Sequence, residues 1–105
     1  MDMEIIKIDV KNITAKELSS SYEHFSAFNS PHEGYAVILE EVEELQDEVK
    51  NIAVELKTWW SVVKNNDVDE NDFILNGIEE FAVNAACEAI QVAAMCRKFR
   101  ESLME

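Results

Sequence analysis

Apolar residues recur at alternating intervals of four and three over residues 38–63, and this periodicity constrains the fold more than any other feature. The positions are Ile38, Val42, Leu45, Val49, Ile52, Leu56, Trp59 and Val63. This spacing keeps apolar side chains on one face of an α-helix and is typical of helices that pack in bundles. The chain has only two glycines and one proline to interrupt helices. The sequence therefore predicts an all-α fold.

A capping box predicts where the first helix begins. Thr14 has the character of an N-cap residue, and Glu17 follows at the third helical position. Residues 1–12 instead show a short β-like alternation, so we expect an extended arm there and an all-α domain over residues 13–105. The apolar positions of the first helix are Leu18, Tyr22, Phe25 and Phe28.

Two longer helices are predicted after residue 29. Ser30, Pro31 and Glu33 form a second capping box with proline at the first helical position. Residues 65–67 are a strong turn signal, and a last helix is predicted over residues 72–103. Its expected inward face consists of Ile74, Ile78, Phe81, Ala85, Ala89, Val92, Cys96, Phe99 and Leu103.

The two long helices are expected to form an antiparallel hairpin that self-associates. A helix of about 30 residues is roughly 45 Å long, and the shorter N-terminal helix covers only part of that length. Association into a helical bundle would bury the remaining apolar face. A homodimer and a homotetramer both fit this argument.

Charge and composition exclude several classes of partner. The formal net charge is −13, which disfavours binding to a nucleic acid polymer or an anionic membrane surface. The sequence has no apolar run of membrane-spanning length. Cys87 and Cys96 are nine residues apart on one predicted helix, which points them in opposite directions and prevents a mutual disulfide. We therefore expect a reduced, cytoplasmic protein.

A dense acidic segment suggests a divalent cation. Like charges at i,i+4 on one helix each cost roughly 0.2–0.5 kcal/mol, and no Lys or Arg lies between Glu33 and Lys50 to offset them. A solvated outer helix face is the alternative interpretation. Six carboxylates fall within residues 38–49: Glu40, Glu41, Glu43, Glu44, Asp47 and Glu48.

Folding the hairpin about Asn66 would place two side chains with oxygen ligands on one helix beside two such side chains on the other. Residues equidistant from the turn meet, so Glu44 should lie beside Glu88 and Glu41 beside Gln91. Each pair is spaced i,i+3 and projects from one helix face. Three carboxylates and one amide oxygen form an all-oxygen site, which suits Mg²⁺ or Mn²⁺ and does not suit zinc.

Two stretches, residues 30–45 and 88–95, resemble the MazG-like branch of the all-α nucleoside triphosphate pyrophosphohydrolases. That family carries EExxE on one helix and ExxD on a later one. Glu40, Glu41 and Glu44 match the first motif. Glu88 matches the start of the second, and Gln91 stands where the family has aspartate.

The resemblance implies hydrolysis of a nucleoside triphosphate to a monophosphate and pyrophosphate by a homodimer or homotetramer. Glu41, Glu44 and Glu88 would ligate Mg²⁺, with Gln91 as a neutral fourth ligand, and Glu40 would orient or deprotonate the attacking water. Because Gln91 replaces the aspartate of the family motif, this set of ligands has one negative charge fewer. A non-catalytic member that binds nucleotide or metal in a regulatory role is therefore the alternative, and a structural adaptor for a basic protein is a third interpretation.

Three further residues are candidates for substrate binding. Lys50 and Lys57 lie seven residues apart on one helical face, where they could meet phosphates. Trp59 could stack on a base. Solvated lysines and a tryptophan packed between helices are the alternatives.

Overall fold

The computed structural model describes residues 2–24 and 27–103. All the regular structure in these two ranges is helical, which confirms the predicted all-α class. The chain forms α1 (Met3–His24), α2 (Pro31–Lys64) and α3 (Val68–Ser102). Phe25, predicted as an apolar position of the first helix, lies outside the described residues.

The contacts divide the chain into two units, and the divisions fall inside α2 and α3. The first unit comprises Met1–Val42 and Glu88–Glu105, and the second comprises Glu43–Cys87.

Helix α1 begins far ahead of the predicted start, so the extended arm over residues 1–12 is wrong. The Asp2 Oδ1 atom accepts a hydrogen bond from the Glu4 backbone N–H at 2.9 Å, as an N-cap does. Thr14 lies inside the helix, where its hydroxyl donates to the Val10 carbonyl at 2.8 Å. A helix satisfies its own backbone groups, whereas an isolated extended segment leaves them unpaired.

Helix α2 begins at Pro31, as its capping residues predict. The Glu33 backbone N–H donates to the Ser30 hydroxyl oxygen at 3.2 Å. The Glu33 carboxylate accepts from the Asn29 backbone N–H at 3.3 Å, one residue ahead of the usual capping-box partner. These two bonds fix where the helix starts.

In the first unit, the core lies where α1 meets the first part of α2 and the last part of α3. Leu18, Ala94 and Met95 are buried there, and Phe28, Val37 and Ile38 pack against them. The loop before α2 is held by Ser102, whose hydroxyl accepts from the Phe28 backbone N–H at 3.2 Å.

In the second unit, a short turn separates α2 from α3. Asn66 has φ 53°, a left-handed conformation that asparagine tolerates better than most residues. Helix α3 then begins at Val68, ahead of the predicted start at Asp72. The Trp59 Nε1–H donates to Asn71 Oδ1 at 2.9 Å, which joins the last part of α2 to the first turn of α3.

Much of the predicted apolar face of α2 is exposed in the second unit. Leu45, Ile52 and Trp59 are half-buried, but Val49, Leu56 and Val63 are 52%, 51% and 39% exposed. The periodic apolar face is wider than the strip that this unit covers. The half-buried strip also includes two carboxylates, Glu48 and Glu55.

Burial on α3 follows its predicted inward face only in part. Ile74 is buried, whereas Ala89, Cys96 and Leu103 are exposed. Within the described ranges, no helix combines the length and the apolar character needed to cross a membrane.

Candidate metal centre

Two carboxylates from distant parts of the sequence lie close together in the first unit. Glu41 is on α2 and Glu88 is on α3, and a carboxylate oxygen of one lies within 4.8 Å of a carboxylate oxygen of the other. Both residues are half-buried. Glu44 follows Glu41 by three residues in α2, which places its exposed side chain on the same face of that helix.

The chemistry of these side chains fits a hard divalent cation. Mg²⁺ binds oxygen ligands, and the Glu41 and Glu88 carboxylates would supply two of them. Mg²⁺ in proteins is usually held by one or two carboxylates together with waters and substrate phosphates. The pair therefore supplies donor atoms of the kind that Mg²⁺ and Mn²⁺ bind.

The Glu41 carboxylate also borders a pocket of about 320 Å³ in the first unit. Gln91, the residue that departs from the family motif, lines the same pocket from α3. Glu41 and Gln91 thus line one pocket, and Glu88 lies near Glu41.

The other predicted site residues occupy different surroundings. Glu40 is exposed on α2. Lys50 and Lys57 are exposed in the second unit. Trp59 is half-buried, and its indole N–H donates a hydrogen bond to Asn71. Their roles toward a substrate remain predictions.

The sequence did not reveal the burial of Lys98, which follows Arg97 near the end of α3. Its side chain is only 1% exposed. The Lys98 ammonium donates to the Ser21 hydroxyl at 2.8 Å and lies over the Tyr22 and Phe28 rings, 5.0 Å and 5.3 Å from their centroids. One feature of the sequence does indicate this burial: Lys98 follows the apolar Met95 by one helical turn and therefore lies on the same face of α3.

The surroundings of Lys98 disfavour its charged form. Burial lowers the pKa of the Lys98 ammonium from its ordinary value of 10.5, and the nearby Glu33 carboxylate partly offsets this by raising it. The ammonium therefore lies in a site that solvates it poorly, at the wall of the same pocket that Glu41 lines.

A second buried polar atom lies on α2. The Glu48 Oε2 atom is buried and has no hydrogen-bond partner among the residues that the structure describes. Glu48 follows Glu41 by seven residues, two turns along the same helix. The acidic segment therefore contributes to the half-buried face as well as to the exposed one.

Comparison of the chain with protein-family models, with curated proteins and with solved structures gives no match.

Proposed function

We propose that the chain is a Mg²⁺-dependent nucleotide pyrophosphohydrolase of the MazG-like type. It would convert a nucleoside triphosphate to a monophosphate and pyrophosphate. The observation that carries the proposal is the approach of Glu41 to Glu88 within 4.8 Å, at the edge of a pocket of about 320 Å³. A pocket of this size has room for part of a nucleotide next to the two carboxylates.

The proposed ligands are Glu41, Glu44 and Glu88, with Gln91 as a neutral fourth group. A bound Mg²⁺ would polarise phosphoryl oxygens, lower the pKa of a bound water and offset charge on the pyrophosphate leaving group. The exposed Glu40 would accept a proton from the attacking water as its oxygen bonds to phosphorus. The bond from that phosphorus to the pyrophosphate oxygen then breaks, which gives the two products.

The alternative is a non-catalytic relative that binds nucleotide or metal in a regulatory role. Gln91 favours it, because an amide oxygen carries no negative charge and holds Mg²⁺ less strongly than the aspartate of the family motif. Saturable nucleotide binding without release of pyrophosphate would favour this alternative. A structural adaptor for a basic protein is the third proposal, and it predicts no effect of Mg²⁺ on the melting temperature.

We also propose that two long antiparallel helices form a helical bundle by self-association, as a homodimer or homotetramer. The support comes from the second unit, where all residues are described and Ile74 is the only buried hydrophobic side chain. Large apolar side chains exposed in this number are what an association surface would cover. The large hydrophobic residues that this unit exposes are Val49, Val54, Leu56, Trp60, Val63, Val68, Phe73, Leu75 and Val83.

The test measures pyrophosphate release and metal binding on the same variants. Purified protein is incubated with Mg²⁺ and a panel of canonical and modified nucleoside triphosphates. We expect Glu88→Gln to abolish release, because it removes a charged ligand and preserves the size of the side chain. The matched control is Glu80→Gln, which makes the same change at an exposed position of α3.

Mn²⁺ binding, followed by electron paramagnetic resonance, separates loss of metal from loss of fold. The proposal expects Mn²⁺ binding to weaken in Glu88→Gln while the helical circular dichroism stays unchanged. Equal pyrophosphate release by wild type, Glu88→Gln and Glu80→Gln would refute the proposal.

A further inference from the structure

The pocket beside Glu41 extends along the first unit to the buried Lys98. All three helices contribute to its wall. Gln91 and Lys98 are seven residues apart on α3, which corresponds to about 10 Å along the helix axis. The residues that line the pocket away from Glu41 and Gln91 include Ser20, Ser21, Phe28, Val37, Met95 and Lys98.

The wall of this pocket combines three apolar side chains with a larger number of polar and charged ones. Phe28, Val37 and Met95 supply the apolar part, and Ser20 and Ser21 supply hydroxyl groups. Lys98 adds an ammonium that the Tyr22 and Phe28 rings and the Ser21 hydroxyl hold in place. A cavity that offers both apolar surface and placed polar groups suits a small organic ligand.

The charges around the pocket argue against a simple anion as the ligand. Glu17, Glu33 and Glu41 line it together with Lys98 and His24, so a phosphate or carboxylate would meet three carboxylates beside one ammonium and one imidazole. A purely apolar ligand would leave the ammonium in a still drier environment, which is costly. A neutral, flat ring with polar edges satisfies both conditions, since it can pack on Phe28 and exchange hydrogen bonds with the polar groups.

We propose that this pocket receives the nucleobase of the substrate and that Lys98 donates a hydrogen bond to a carbonyl oxygen of the ring. This inference rests on the proposed function for its choice of a nucleotide. It assigns Lys98 the selection of bases that carry a ring carbonyl, which are guanine, cytosine, uracil and thymine, over adenine, which has none. The ring carbonyl would accept a hydrogen bond from the Lys98 ammonium, either beside the Ser21 hydroxyl or in its place.

The test uses two nucleosides, inosine and purine riboside. The base of inosine carries a ring carbonyl, and purine riboside has hydrogen at the same carbon. Both are titrated without metal into protein labelled with carbon-13 in its methionine methyl groups. The chain has four methionines, and Met95→Leu identifies the signal of Met95. Because Met95 lines the pocket, its methyl signal reports occupancy directly.

We expect both nucleosides to shift the Met95 signal and inosine to bind about tenfold more tightly, as one hydrogen bond from a charged donor provides. Lys98→Met should reduce this preference to less than about twofold. Lys64→Met, which removes the lysine that lies over Trp60 in the second unit, should leave it unchanged. If Lys98→Met does not fold, the wild-type preference for inosine decides the question.

Two results would overturn the inference. One is a Met95 signal that neither nucleoside moves at saturating concentration, and the other is equal affinity of the wild type for both nucleosides. Mn²⁺ binding that depends on Glu88 would leave the proposed function standing in either case. Absence of Mn²⁺ binding, with inosine still preferred, would refute the metal-dependent reaction and retain the nucleobase pocket.

Discussion

Alanine in place of Gly34 should destabilise the protein, although the same change in a helix is usually favourable. Gly34 is buried near the start of α2. A Cβ atom at this position would lie 2.6 Å from Phe99 Cδ2, 2.9 Å from Cε2 and 3.1 Å from Cγ. Optimal separations between carbon atoms are about 3.5–4.0 Å, so the added methyl group would overlap the Phe99 ring by up to about 1 Å.

The magnitude follows from two opposing effects. Replacing glycine by alanine inside a helix contributes about 0.5–1 kcal/mol of stability. Adding a methyl group to a packed site costs about 1–3 kcal/mol. The Phe99 ring has limited room to withdraw, since the Phe28 ring packs against it with centroids 6.2 Å apart. We therefore expect a net loss of about 1 kcal/mol and a fall in melting temperature of about 4–8 °C.

The chain supplies its own control at its other glycine. A Cβ atom at Gly77, inside α3, would meet no heavy atom within 4 Å. Gly77→Ala should therefore raise the free energy of unfolding by about 0.5–1 kcal/mol. The two substitutions change the same atoms and should have opposite signs.

Urea denaturation followed by circular dichroism at fixed protein concentration measures both variants. Truncating the ring in the double variant Gly34→Ala/Phe99→Leu should make the alanine less costly than it is beside phenylalanine. A Gly34→Ala variant as stable as Gly77→Ala would refute the reasoning, because the close approach to Phe99 would then carry no energetic cost.

Three further predictions concern the surface, the turn and the buried lysine. Leu56→Glu should reduce the oligomeric state measured by sedimentation velocity, since half of Leu56 is exposed in the single chain; an unchanged state would contradict self-association through this face. Asn66→Ala should lower the free energy of unfolding by about 1 kcal/mol relative to Asn66→Gly, because alanine is strained at φ 53°. Equal urea midpoints for these two variants would contradict that. Between the lowered pKa of Lys98 and its ordinary 10.5, the unfolded chain binds more protons, so the free energy of unfolding should rise with pH. The Lys98→Met variant should not show this rise. Parallel pH profiles of the wild type and Lys98→Met would show that Lys98 is not its cause.

The helix boundaries show where local sequence chemistry suffices and where it does not. The start of α2 could be predicted because Ser30, Pro31 and Glu33 all favour the same boundary. The start of α1 could not, because Asp2 and Thr14 are both good N-cap residues and the choice depends on the whole helix. Thr14 is buried in the folded chain and bonds the preceding turn instead.

The proximity of Glu41 to Glu88 and the pocket that Glu41 shares with Gln91 agree with counting residues from the turn. Equal helical rise on both sides of Asn66 is enough to suggest that residues near 41–44 approach residues near 88–91. The burial of Lys98 depends instead on the position of α1, which places Ser21 and Tyr22 against its ammonium. The position of Lys98 one turn after Met95 indicates that this face of α3 is covered, but nothing in α3 identifies Ser21 and Tyr22 as the residues that cover it. The pocket could therefore not be inferred from the sequence.

The carboxylates on the half-buried face of α2 have a consequence for how the second unit folds. Two long helices joined by a short turn could slide past each other by one turn and still bury similar apolar area. Polar side chains at inward positions make such displaced alignments unfavourable and cost some stability. Glu48 and Glu55 occupy positions of this kind, seven residues apart. We therefore expect them to lower the stability of the protein while favouring a single alignment, and replacing both by leucine should give a more stable protein with more than one way to pack.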